Sequence, residues 1–237
     1  MKYLLIIALF CLAACSKSID KQADFTTPTE NKDLKHPESC DFGITQFNMV
    51  KRPMVNDATA NRGKPIKLTS GGGGTSSTGG SVILLDFDGY VVKNTSWNYN
   101  GDINCAPANL TVAQIEEIFK RVSNDYSPFN ITITTDEAVY TAANIYKRMR
   151  VVLTESWEWY GQAGGVAYTN SFTWGDNTPC FIFSSLLNYN TKFISEAASH
   201  EAGHTLGLRH QASYDASGVK LSDYNYGQGS GEMGWAP

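Results

Sequence analysis

Histidine is scarce in this chain, with four residues in 237. Charge is sparse as well, at 18% of residues with a net value of −4, so the basic footprint of a nucleic-acid-binding surface is missing. No nucleic-acid partner is expected. The most apolar stretch, Tyr3 to Leu12, is about ten residues long, half of the roughly 20 that a spanning helix needs. Internal repeats and blocks of like charge are absent, which removes solenoids and charged tails from consideration. Five cysteines are too few for a disulfide-dense scaffold of this length. What is present is a 42% hydrophobic composition, enough for one packed domain with extra segments. Nothing in the sequence calls for a partner subunit, and a monomer is expected.

The N-terminus reads as an export signal. Met1-Lys2 supplies a short basic start and Tyr3 to Leu12 the apolar h-region. The run Leu12-Ala13-Ala14-Cys15 resembles the lipobox of bacterial lipoproteins. That resemblance implies a signal peptide over 1–14, cut before Cys15, and lipidation of Cys15. The plainer alternative is an ordinary signal with a small-residue cleavage site. Several acyl chains hold a protein firmly where one does not. The expectation is therefore an exported protein, anchored by lipid in the bacterial cell envelope, at the outer membrane or cell surface. Cys40, Cys105 and Cys180 then remain in an oxidising setting, and three thiols allow one disulfide at most. Cys105 with Cys180 is one candidate pair, since both fall in the folded region, and the sequence leaves the pairing of the three open.

Residues 15–80 read as a lipidated tether with a candidate pro-segment near Cys40 to Val55. The stretch 16–62 is polar and poorly periodic, and 71–80 is Gly/Ser-rich, as flexible coils are. The folded domain is expected over 81–237. Val82 to Leu85 is a short apolar run suited to a buried strand. Thr111 with Gln114 has capping-box spacing, and Ile115, Ile118, Phe119 and Val122 share one helical face before Pro128. Strands are expected at Phe129 to Thr134, Arg150 to Thr154, Val166 to Tyr168 after Gly164-Gly165, and Cys180 to Phe183. A helix follows from Lys192 to Leu206, with Thr191 as candidate N-cap and Gly207 placed to end it. This order predicts an α/β fold with a sheet overlaid by a helix.

Three of the four histidines lie within His200-Glu201-Ala202-Gly203-His204-Thr205-Leu206-Gly207-Leu208-Arg209-His210. His200 and His204 are four apart, so on a helix they share a face one turn apart and can grip one ion. Glu201 is one step round and can reach a water on that ion without being a ligand. Gly207 permits a positive φ, which turns the chain and lets His210 swing back as the third ligand. The bland reading is a solvated helix that happens to carry histidine, and the later Gly and His at fixed spacing weigh against it.

The stretch resembles the extended motif H-E-x-x-H-x-x-G-x-x-H of the metzincin zinc endopeptidases, matching at His200, Glu201, His204, Gly207 and His210. The resemblance covers roughly 81–210. It implies a mixed, mostly parallel sheet with a backing helix and an active-site helix, one catalytic Zn2+ on the three histidines, Glu201 as catalytic base, and a protein or peptide substrate. It also implies that the strand at Gly164–Tyr168 is an antiparallel edge that pairs with extended substrate. Metzincins carry a Met in a turn beneath the zinc. Met233 is the only Met after His210 and is the candidate, unless the chain continues and the Met-turn lies beyond Pro237.

Other signals are weaker. Leu85-Asp86-Phe87-Asp88-Gly89 resembles the nucleophile motif of haloacid-dehalogenase phosphatases, but no later paired acidic motif follows. The plainer reading is a strand end with a turn, or a loop holding Ca2+ at Asp86 or Asp88. Cys40 could occupy zinc in a precursor, although Ser39-Cys40-Asp41-Phe42-Gly43 does not match the matrixin switch; a structural thiol is plainer. Trp157, Trp159, Tyr160 and Trp174 are either substrate-lining or core aromatics. Tyr224 and Tyr226 follow the third His. A surface adhesin with a vestigial metal site is the alternative from another class, and it predicts a lost ligand or a lost Glu201.

Overall fold

The computed structural model describes residues 39–42, 65–70 and 80–222. In chain order the elements are β1 (Ser39–Phe42), β2 (Ser81–Asp86), β3 (Tyr90–Val92), β4 (Ile103–Cys105), α1 (Val112–Tyr126), β5 (Ile131–Thr134), α2 (Glu137–Ala142), β6 (Arg148–Thr154), β7 (Gly165–Tyr168), β8 (Cys180–Phe183), α3 (Thr191–Thr205), β9 (Ser213–Tyr214) and β10 (Lys220–Ser222). Six strands form one sheet in the order β1-β7-β8-β6-β2-β5. β8, β6, β2 and β5 run parallel, and β7 is antiparallel to both β8 and β1. The sheet is mixed and mostly parallel, as the resemblance implied.

Strand side chains alternate between two cores. Cys180 and Ile182 of β8 join Ile83, Leu85, Val151, Leu153 and Ala167 on the face covered by α1 and α3. Phe181 and Phe183 point the other way, to Val152, Val166, Tyr168 and the β3–β4 hairpin residues Val92, Ile103 and Cys105. Burial on both faces explains why these strands read as continuous apolar runs. The aromatics Trp159, Tyr160 and Trp174 pack into the second core around Trp97, which stacks on Tyr168 at 4.0 Å.

That two-faced arrangement argues against the candidate Cys105–Cys180 disulfide. Cys105 and Cys180 are both free and buried, and they belong to opposite faces of the sheet. Burial pushes the Cys105 thiol up to about 12, with the Asp86 charge adding to it.

The capping box at α1 is formed. The Thr111 hydroxyl accepts from the Gln114 N–H at 3.3 Å, and the Gln114 amide oxygen accepts from the Thr111 N–H at 2.9 Å. Ile115, Ile118, Val122 and Tyr126 are its buried face. Two boundaries differ from the sequence reading. β5 starts at Ile131 rather than Phe129, because Phe129 N–H is spent closing a turn onto the Tyr126 carbonyl. α3 is capped by Asn190, whose side chain accepts from both Lys192 and Phe193 N–H, so Thr191 is already helical.

Segments before Ser81 line both borders of this sheet. Along β5, Ser70 N–H donates to the Ile133 carbonyl and Thr135 N–H to the Leu68 carbonyl, both at 2.8 Å. On the far side, β1 pairs with β7, so β7 is not the outermost strand. Among the described residues no helix is long and apolar enough to cross a membrane. Cys15, Met233, Tyr224 and Tyr226 lie outside the described residues.

Candidate metal centre

α3 packs against α1, β7 and β8, and this placement sets the site. Tyr126 of α1 donates its hydroxyl to the Ser199 carbonyl at 2.9 Å, and Ser199 donates its hydroxyl to Asp125 at 2.6 Å. Burial raises the Asp125 carboxyl above its usual range, while the Ser199 hydrogen bond opposes that rise. The last turns of α3 are thus pinned just before the motif begins. Within it His200 and His204 are buried and Glu201 is fully so.

The helix ends in a Schellman motif. Leu208 N–H donates to the Gly203 carbonyl at 3.0 Å and Gly207 N–H to the His204 carbonyl at 2.9 Å. Gly207 adopts φ 94°, the left-handed value expected of it. The turn carries Leu208 back over the helix, where its carbonyl lies 2.7 Å from His204 Nδ1. It also returns His210 to the helix face.

The three imidazoles meet through their Nε2 atoms. His200 and His204 are 2.8 Å apart, His204 and His210 3.0 Å, and His200 and His210 3.2 Å. A carbonyl can only accept, so His204 Nδ1 carries the proton that faces Leu208, and the neutral ring then presents a lone pair from Nε2. Three such nitrogens converging on one point can hold a metal ion. The all-imidazole donor set suits zinc, which takes three protein ligands in catalytic sites. The fit is therefore good on the structure's own geometry.

Glu201 follows His200 and turns toward the sheet. A Cβ added to Gly165 would stand 2.9 Å from Glu201 Cγ and 2.8 Å from the Phe181 carbonyl. The bare Cα at the start of β7 is what lets the glutamate lie between helix and sheet. Burial of Cys180 itself, and second to it the negative charge of Glu201, hold the Cys180 thiol well above the usual range. The sequence reading placed Gly165 only at the start of the Val166–Tyr168 strand. Its contact with Glu201, like the hydrogen bond from Asn170 N–H to the His204 carbonyl at 3.0 Å, joins residues far apart in sequence, and no local pattern marks it.

Asp86 and Asp88 lie elsewhere. They line a cavity of about 590 Å3 with Gly89, Tyr90, Glu137 and Arg150, and none of the three histidines lines it. Arg150 is buried and donates to Asp86 at 2.5 Å and to Glu137 at 2.7 Å, with its guanidinium 4.0 Å over the Tyr90 ring. The strand-end carboxylate is thus held by an internal cation.

A mixed sheet, a backing helix and a helix-plus-turn that gathers three imidazoles beside a glutamate define a metzincin-like metallopeptidase domain. The model of the Metallo-peptidase family M12B Reprolysin-like domain matches residues 91–211, just over half the chain and the whole His200–His210 stretch. The chain belongs to this family. Comparisons with curated proteins and with solved structures give no match.

Proposed function

We propose that the protein is a zinc-dependent endopeptidase that hydrolyses peptide bonds of extracellular or periplasmic proteins. The observation that carries this reading is the convergence of the His200, His204 and His210 Nε2 atoms within 3.2 Å, beside the buried Glu201. Zinc held by His200, His204 and His210 would supply a water of near-neutral pKa and a Lewis acid for the scissile carbonyl. Glu201 is the base that takes the proton from the attacking water and returns it to the leaving amine. Leu208, through its carbonyl, orients His204 and favours the tautomer that coordinates. The buried walls around Glu201 keep bulk water from competing for that proton.

The remaining parts of the proposal concern location. Cleavage before Cys15 and its lipidation would anchor the enzyme in the envelope and leave the catalytic domain facing proteins outside the cytoplasm. Metal content and hydrolysis test the enzyme reading together. Elemental analysis is expected to find about one zinc per chain in wild type and little in His204→Ala. Glu201→Gln is expected to keep the zinc and lose hydrolysis of a denatured protein such as casein by at least about a hundredfold. Chelator should abolish wild-type hydrolysis. A folded wild type that binds no zinc, or a Glu201→Gln variant as active as wild type, would sink the reading.

A further inference from the structure

The neighbouring parallel strands β2 and β5 lead to helices on opposite faces of the sheet. The helix reached from β2 is α1, whose Ile115, Ile118 and Val122 pack with Leu85 in the first core. The helix reached from β5 is α2, on the other face. Met149 and Val151 of β6 point into the first core, so Arg150 between them faces away from it. Tyr140 of α2 sets its ring 4.9 Å from that guanidinium. In open α/β sheets, a crevice outside the carboxyl ends of the strands, where connections part to opposite faces, is the usual place for a ligand. The cavity of about 590 Å3 lies here. Asp86 and Phe87 at the end of β2, Thr135 and Glu137 after β5, and Ile115 of α1 all line it. Its volume is that of a small-ligand site.

The polar groups of the cavity select the sign of charge. Four carboxylates, Asp86, Asp88, Asp136 and Glu137, stand against two cations, Lys67 and Arg150. Both cations are engaged, Lys67 with Asp136 at 3.1 Å and Arg150 with Asp86 and Glu137. Arg150 holds only one oxygen of Asp86. The residue is 5% exposed, and among the described residues no hydrogen-bond donor reaches its Oδ1. Beside it stands the Asp88 carboxyl, a second acceptor when ionised. A buried carboxylate oxygen left without a donor is costly, so a donor brought by a ligand is favoured. An anion meets repulsion. A bare metal ion fits less well, because among the described residues only the three histidines bring three ligating side-chain atoms within 4.8 Å of one another. Ile66, Phe87 and Ile115 also offer apolar surface that an ion cannot use.

We propose that this cavity binds an organic cation, an ammonium or guanidinium on a short apolar stem, with Asp86 Oδ1 and Asp88 accepting from the head and Ile66, Phe87 and Ile115 receiving the stem. The site is separate from the metal centre, and the inference owes nothing to the peptidase reading. A free small amine and the Lys or Arg side chain of a polypeptide share this chemistry.

The test is calorimetric titration of full-length Glu201→Gln protein, chosen so that no peptide is consumed, at pH 8, above the value of about 7 to which burial raises Asp86. n-Butylguanidinium and n-butylammonium are expected to bind saturably, and neutral butyramide at least about tenfold more weakly. Asp86→Asn and, separately, Asp88→Asn should each weaken both cations at least about tenfold, since each removes the charge from one hydrogen bond to the head. Asp88 is only half-buried, so its variant carries the test if Asp86→Asn does not fold. A blocked pentapeptide with one central Arg among Ala residues separates the two sources. Binding tighter than that of n-butylguanidinium, and weakened by Asp88→Asn, assigns the site to a polypeptide side chain; weaker binding assigns it to a free amine, and both uphold the cation site. Butyramide binding as tight as that of the cations, or cation affinity unchanged in the variants, overturns the proposal. So does calcium binding that is lost in the same variants while the organic cations fail to bind.

Discussion

Gly207 faces Asn170 so closely that a Cβ on the glycine would overlap the Asn170 side-chain oxygen, and the same asparagine donates its backbone N–H to the His204 carbonyl at 3.0 Å. The C-terminal end of α3 is thereby fastened to the loop that leaves β7. Gly207 is constrained twice, by a φ of 94° and by this approach. Gly207→Ala should cost about 1–2 kcal/mol for the left-handed conformation alone. The overlap adds to that and pushes the turn away, taking His210 with it. Zinc affinity is expected to fall at least about tenfold, read by competition with a chromophoric chelator. Gly218→Ala is the control, because Gly218 has φ 80° with nothing near its Cα. It should show the backbone cost without the loss of zinc. Equal zinc affinity in the two variants would refute the role given to the Asn170 contact.

Tyr126 holds α1 to α3 through one buried hydrogen bond to the Ser199 carbonyl. Tyr126→Phe keeps the ring and removes the donor. A net loss of about 1 kcal/mol is expected, or roughly 2–4 °C in Tm for a domain of this size. Zinc stoichiometry should be unchanged, since no ligand is touched. A loss of zinc with unaltered melting would show that the bond positions the site rather than the helix pair.

Cys105 and Cys180 should remain thiols in protein kept under oxidising conditions, because the sheet stands between them. Alkylation under native conditions is expected to spare both, and alkylation after denaturation without reductant to label both. Mass spectrometry of a Cys105–Cys180 crosslinked peptide would contradict the packing described.

Much of the site was legible because its logic is local. Two histidines one helical turn apart, a glycine at the turn and a third histidine three residues on need only helix geometry to be read, and the structure brings all three rings together. The Thr111–Gln114 capping box was legible for the same reason. Asn190 was missed as the cap of α3 because Asn and Thr stand side by side and both are good N-caps; the longer reach of the asparagine side chain to two N–H groups decides it. What could not be read were pairings across the chain. The Gly165–Glu201 approach, the β1–β7 register and the strand-like seat of 65–70 on β5 each join residues tens of positions apart. The two-faced burial of β8 also hid the separation of Cys105 from Cys180, since a continuous apolar run does not say which side chain faces which core.

Asp86 makes the stability of the fold depend on pH. Burial, the largest influence, and the nearby Asp88 push its carboxyl up to about 7 in spite of Arg150. In the unfolded chain the value returns to about 3.9. Between these values the folded protein binds more protons than the unfolded one, so stability falls as pH rises. The contribution is full below about pH 4 and lost as pH passes through 7. Asp86→Asn removes the titration while keeping a polar group beside Arg150. Denaturant melts at pH 4, 5.5, 7 and 8, in chelator so that metal binding does not intrude, give the difference between wild type and variant. That difference should shift against wild type by roughly 1–4 kcal/mol from pH 4 to pH 7 and then level off. A difference that moves in favour of wild type with rising pH would mean that attraction to Arg150 outweighs burial, and that Asp86 is ionised throughout.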